Sequence, residues 1–152
     1  MNNKVLISHR GNTDGPNPEH ENKPSRIEEV LDMNYYVEID VQYIDGKFWL
    51  GHDEPQYEID EEFLITKNLY CHAKTIEALV ALKELADSYP GRYLIYFWHQ
   101  DDDYTLTNMG DIWVYPGKPV LDNCIAVLPE TIDNYDISKA IGICSDYIEN
   151  YK

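Results

Sequence analysis

Short runs of β-branched and aromatic residues, bounded by turn formers, recur along the whole chain. They are KVLIS (4–8), YYVEIDVQYI (35–44), KFWLGH (47–52), NLYCHAK (68–74), RYLIYFW (92–98), DIWVY (111–115), NCIAVL (123–128) and AIGICSDY (140–147). Their length and composition predict buried strands. Within YVEIDVQY the alternation puts Val37, Ile39 and Val41 on one face and Glu38 and Asp40 on the other. Helical spacing interrupts this pattern twice. In SRIEEVLDM, Ile27, Val30 and Leu31 share a side, and Ser25 with Glu28 three residues on reads as a capping box. In TIEALVALKELADSY the period runs longer, with Thr75 as cap and Pro90-Gly91 as stop.

Strands alternating with helices imply right-handed parallel crossovers and a sheet covered by helices, so the expected class is α/β. Later the intervening segments shrink, and YPGKPVLD (115–122) and PETIDNYD (129–136) have room for only a turn or so of helix. No repeat, low-complexity tract or linker divides the chain, and one domain spanning residues 1–152 is expected.

Charge narrows the partners. The 28 acidic and 12 basic residues leave a net charge of -16, which repels nucleic acid and anionic membranes and favours a small, metal-accompanied ligand. The run Asp101-Asp102-Asp103 reads as a solvated loop or helix start. Cys71, Cys124 and Cys144 lie in strand-like stretches without close spacing and read as buried reduced thiols. The chain enters its first strand within a few residues and has no run approaching a membrane span, so a cytoplasmic protein without membrane insertion is expected. Nothing in the pattern sets an oligomeric state.

Four of the five histidines, His9, His52, His72 and His99, fall at or just beyond the C-terminal ends of expected strands. In parallel α/β folds that edge is where sites are built. Glu38 and Asp40, side by side on a buried strand, would repel each other unless a divalent cation or a shared proton lay between them. A carboxylate pair for a metal, Arg10 for a phosphate, and His9 and His52 for proton transfer are what metal-assisted cleavage of a phosphodiester needs.

HRG at 9–11, EN at 21–22, EIDVQY at 38–43 and GHD at 51–53 resemble, in order and near spacing, the motif set of the glycerophosphodiester phosphodiesterases, within the wider phospholipase C-like superfamily. HAK at 72–74 and CSDY at 144–147 are fainter echoes. The resemblance implies a TIM-type (β/α) barrel, here compact, with short or missing outer helices in its second half. It further implies His9 and His52 as the acid/base pair, Arg10 and Lys74 as phosphate ligands, and Glu38, Asp40 and Glu21 around a divalent metal (Mg, Mn or Ca).

Where the family carries a further acidic metal ligand, this chain has His72. Imidazole in place of carboxylate tilts the expected metal towards Mn. The implied reaction is hydrolysis of a small glycerophosphodiester-like substrate. An inactive phosphate-binding module and a lyase releasing a cyclic phosphate are the alternatives. His72 reads equally as a buried histidine bonded to backbone, Arg10 as a structural ion-pair partner, and His20 and His99 as rim residues.

Overall fold

The computed structural model describes residues 3–152. Ten strands form one continuous sheet: β1 (Val5–His9), β2 (Tyr36–Ile44), β3 (Lys47–Leu50), β4 (Tyr57–Ile59), β5 (Leu69–Ala73), β6 (Ile95–Trp98), β7 (Tyr104–Leu106), β8 (Ile112–Val114), β9 (Cys124–Val127) and β10 (Gly142–Ser145). The helices are α1 (Pro24–Asp32), α2 (Glu61–Ile65) and α3 (Ile76–Ser88). The body of the sheet is a parallel run in the spatial order β6-β5-β2-β1-β10-β9-β8. Antiparallel pieces decorate it: β3 pairs with the far half of β2, β4 with β3, and β7 with β8.

Each apolar run becomes a strand because it can bury side chains on both faces. On the outer face, Val37, Ile39, Val41, Cys71 and Ala73 pack beneath α1 and α3 through Ile27, Val30, Ala78, Leu82 and Leu85. On the inner face, the sheet curls around Ile7, Tyr70, Phe97, Trp113, Ile125, Val127 and Cys144. Phe97 on β6 meets Trp113 on β8 with ring centroids 4.6 Å apart, although these two strands do not pair.

Asn108 bridges that seam. Its backbone N–H donates to the Tyr96 carbonyl (3.0 Å), its side-chain oxygen accepts from the Tyr96 N–H (2.8 Å), and its Nδ2 donates to the Leu94 carbonyl (2.8 Å). One residue satisfies main-chain groups that an unpaired edge would leave open.

The TIM-type barrel implied by the resemblance is corrected here: the fold is a curled, mixed sheet, a half-barrel with only three short α-helices. A TIM-type barrel follows every strand with a helix, whereas no α-helix follows α3, which ends at Ser88. Segments 99–103, 115–123 and 128–141 hold no α-helix, and Pro116, Gly117, Pro119 and Pro129 break the last two of them. Instead, Tyr135 and Ile137 cover a separate small cluster of Val114, Val120, Cys124, Ala126 and Ala140.

Smaller differences have local causes. The helix α1 starts at Pro24, whose missing N–H suits a first turn, so Lys23 rather than Ser25 occupies the cap position and makes no side-chain cap bond. Thr75 does cap α3, accepting from the Ala78 N–H at 3.1 Å, a bond of a kind that contributes about 1 kcal/mol. The pieces β4, α2 and β7 are too short to impose a pattern on the sequence. Cys71, Cys124 and Cys144 are buried free thiols.

Candidate active site

The C-terminal ends of β1, β2, β5, β6, β8 and β9 open onto a cavity of about 490 Å³. Strand alternation turns Glu38 and Asp40 inward, and both carboxylates are nearly inaccessible to solvent, at 2% and 0% exposure. Registration of β2 against β5 sets Asp40 beside His72, which places Cys71 and Ala73 on the helix-covered face and His72 inward.

Asp40 is held on one of its oxygens. Its Oδ2 accepts from Asn22 Nδ2 (2.9 Å) and lies 3.0 Å from Arg10 Nε, while its N–H donates to Asn22 Oδ1 (2.9 Å). The Arg10 contact is an ion pair without hydrogen-bond alignment. Arg10 and Asn22 both take left-handed backbone, with φ of 59° and 60°. The Asn22 N–H donates to the Arg10 carbonyl (3.0 Å), which folds segment 10–22 back onto β2. Burial pushes the Asp40 carboxyl up, but Arg10, His72, Asn22 and Lys74 together hold it below its ordinary 3.8. For Asp40, then, the expected repulsion from Glu38 is answered by cations and an amide within the fold.

Two carboxylate oxygens remain without partners, Asp40 Oδ1 and Glu38 Oε2. His72 Nδ1 lies 3.6 Å from Asp40 Oδ1 and 3.7 Å from Glu38 Oε1, while Glu38 Oε2 is turned towards His9 Nε2 at 3.7 Å. These distances are too long for hydrogen bonds. His72 Nε2 lies 2.7 Å from the His99 carbonyl oxygen, so Nε2 carries the proton that this acceptor requires and Nδ1 is the ring nitrogen turned towards the carboxylates. The ring stacks on Phe97 at 4.9 Å. Ligand atoms of Glu38, Asp40 and His72 all lie within 4.8 Å of one another, a span one cation can bridge with bonds of about 2.0–2.6 Å. The donor set and its orphaned oxygens fit a divalent ion.

Glu21 stands outside that group. Its carboxylate meets Arg10 Nη1 (3.5 Å) and Asn12 Nδ2 (3.1 Å). Lys74, just past β5, and Arg10 both line the cavity.

His9 ends β1 with Nδ1 2.7 Å from Asp146 Oδ1 and Nε2 3.7 Å from Glu38 Oε2. Asn12 Nδ2 also donates to Asp146, at 2.8 Å. Burial works against a charged His9, yet the hydrogen bond to Asp146 and the charge of Glu38 prevail and raise its pKa above 6.5. Asp146 moves the other way: burial would raise it, and the bond to His9 brings it below 3.8. His52 lines the same cavity, its Nδ1 2.7 Å from Asp53 Oδ1, but this pair is 41% and 90% exposed. Gly51, at φ 154°, delivers it: an added Cβ would sit 1.9 Å from the Glu54 carbonyl oxygen, so only glycine makes this turn. The Gly51 N–H donates to Asp40 O (3.0 Å) and its carbonyl accepts from Gln42 Nε2 (2.9 Å).

His99 is corrected from rim to interior. It is 8% exposed, and its Nε2 meets the Asp102 carbonyl at 2.5 Å. The signal available for it was its place among four histidines at strand ends. Asp146 was missed as the partner of His9, although CSDY had been singled out as a motif. His20 is exposed, and Asp101-Asp102-Asp103 is an exposed loop.

Comparison with protein-family models, curated proteins and solved structures returns no match. No helix among the described residues is long and apolar enough to cross a membrane. Fold and site together define a half-barrel with a carboxylate–imidazole cluster and two histidine–aspartate pairs at one end.

Proposed function

We propose that the protein is a metal-dependent phosphodiester hydrolase acting on a small glycerophosphodiester-like substrate, akin to the glycerophosphodiester phosphodiesterases in its site motifs. The observation that carries this reading is His72 Nδ1 set against the carboxylates of Glu38 and Asp40, each of which keeps one buried oxygen without a partner, a combination that only a cation or an added proton makes favourable. Glu38, Asp40 and His72 would hold the ion, which would supply Lewis-acid neutralisation of a phosphate oxygen. Arg10 and Lys74 add positive charge on the same wall.

Hydrolysis needs one proton removed and one returned. Of His9 and His52, one withdraws the proton of the attacking hydroxyl and the other protonates the departing alkoxide, with roles exchanged in a second half-reaction. In balance, water is consumed, the P–O bond to one alcohol breaks, and a phosphomonoester and that alcohol are released. Attack by a neighbouring hydroxyl of the substrate passes through a cyclic phosphate that water opens. A lyase would stop at that cyclic product, and a binding module would release none.

The test is a divalent-metal screen against a panel of phosphodiesters. Metal-dependent release of alcohol and phosphomonoester, abolished by chelator, is the expected result. With imidazole among the donors, Mn²⁺ should outrank Mg²⁺ and Ca²⁺, and His72→Glu should reverse that order. Turnover indifferent to chelator would overturn the metal reading, and no product with any diester and metal would overturn catalysis.

A further inference from the structure

The basic groups lining the cavity are confined to one side, where Glu38 stands among them. Every basic side chain of the lining, Arg10, Lys74 and the histidines His9, His52 and His72, comes from β1, β5 or the turns that follow β1, β3 and β5, except the backbone-bonded His99. The facing wall comes from the ends of β6, β8 and β9. Its rim carries one charged group, the exposed Asp101, beside Gln100, and its surface is Trp113, Tyr115, Pro116, Val127 and Leu128. Lys118, on the segment after β8, is engaged with Asp103 at 3.3 Å. Tyr115 is 41% exposed and meets the His99 ring edge-on at 6.0 Å, so part of its ring stays open to a ligand.

Resting on the phosphodiesterase reading of the opposite wall, we infer that this facing wall selects the substituent alcohol by charge, accepting an ammonium-bearing or neutral alcohol and rejecting an anionic one. A phosphodiester gripped at the cationic wall extends its other substituent across the cavity. There an ammonium finds the Asp101 carboxylate and the Tyr115 ring, both attractive to a cation. A carboxylate finds Asp101 and no free base, in a chain whose net charge of -16 already opposes it. Asp101 is solvated, so the discrimination is moderate and weakens with salt.

The test measures dissociation constants of three matched glycerol phosphodiesters for the Mn²⁺-loaded protein, their second alcohols being ethanolamine, ethylene glycol and glycolate. Turnover is recorded separately. Binding should tighten from glycolate to ethanolamine by about tenfold. Asp101→Lys should collapse or reverse that order, tightening the dianionic glycolate diester more than the monoanionic ethylene glycol diester. Tyr115→Leu should weaken the ethanolamine diester about threefold relative to the ethylene glycol diester. A purely space-filling Tyr115 would weaken both equally. Equal binding of all three diesters, or an order that survives Asp101→Lys, overturns the inference. The full order in binding without any turnover sustains the charge selection and removes only the hydrolase reading.

Discussion

Two histidine–aspartate pairs share a 2.7 Å bond and almost nothing else. His9–Asp146 joins the end of β1 to the turn after β10, lies among Glu38, Asn12 and Arg10, and leaves His9 14% exposed. His52–Asp53 joins adjacent residues at the mouth of the cavity. The first depends on the whole sheet for its geometry, the second on a single glycine turn. Low dielectric and fixed partners make the inner pair a stability element as well as a candidate proton-transfer group. Solvent leaves the outer pair close to neutral for stability.

The largest contrast should come from cutting the inner network where it is most buried. Asp40→Asn takes from Arg10 its nearest carboxylate, leaving only the more distant Glu38 and Glu21, and should cost about 3 kcal/mol in chemical denaturation of the metal-free protein. Glu38→Gln, at a carboxylate with an oxygen that has no partner, should cost far less. Equal losses would mean that the fold does not distinguish the two carboxylates.

Next in size is turnover. His9→Ala and His52→Ala should each lower it at least about 10²-fold, and only His9→Ala should also shift the melting temperature. Near-normal turnover in either variant removes that histidine from the chemistry.

A smaller effect has a distinctive pH signature. The pKa of His9 is raised above 6.5 in the fold, so its contribution to stability is complete below pH 6.5 and is lost as pH rises through the folded value. Asp146 is lowered from 3.8, so its contribution is complete above pH 3.8 and is lost as pH falls through its folded value. The stability gap between the wild type and Asp146→Asn should therefore be widest from about pH 4 to 6.5 and shrink above it, as read from thermal melts across pH. A gap independent of pH would point to lost packing instead. The smallest effect belongs to Asp53→Asn, within about 0.5 kcal/mol at any pH, and a larger loss would show that the outer pair is structural after all.

The same division separates what the sequence disclosed from what it hid. Glu38 with Asp40, and His52 with Asp53, are readable because the two-residue strand period and simple adjacency fix their relation. Thr75 as a cap is readable for the same local reason. His9 with Asp146 is not, because their meeting depends on β1 pairing with β10 across nearly the whole chain. Nor is the orientation of the His72 ring, which depends on the main chain of His99 at the end of the neighbouring strand β6. The missing helices of segments such as 115–123 are legible in their length, prolines and glycine, whereas the TIM-type barrel came from the resemblance alone: how far the sheet curls, and that β3, β4 and β7 join it antiparallel, depends on long-range pairing that no local pattern carries.

The placement of β1 between β2 and β10 also sets an order of events during synthesis. The strand β1 lies in the middle of the sheet and leaves the ribosome long before β10, one of its two neighbours. Until residue 146 has emerged, His9 has no carboxylate to orient it and one edge of β1 has no partner. Residues so far apart close slowly, and a nascent chain keeps that edge open to other polypeptides for as long as translation takes. Formation of the His9–Asp146 pair and protection of the exposed strand edge are therefore one late step, and a polypeptide interrupted before that point would be prone to aggregate.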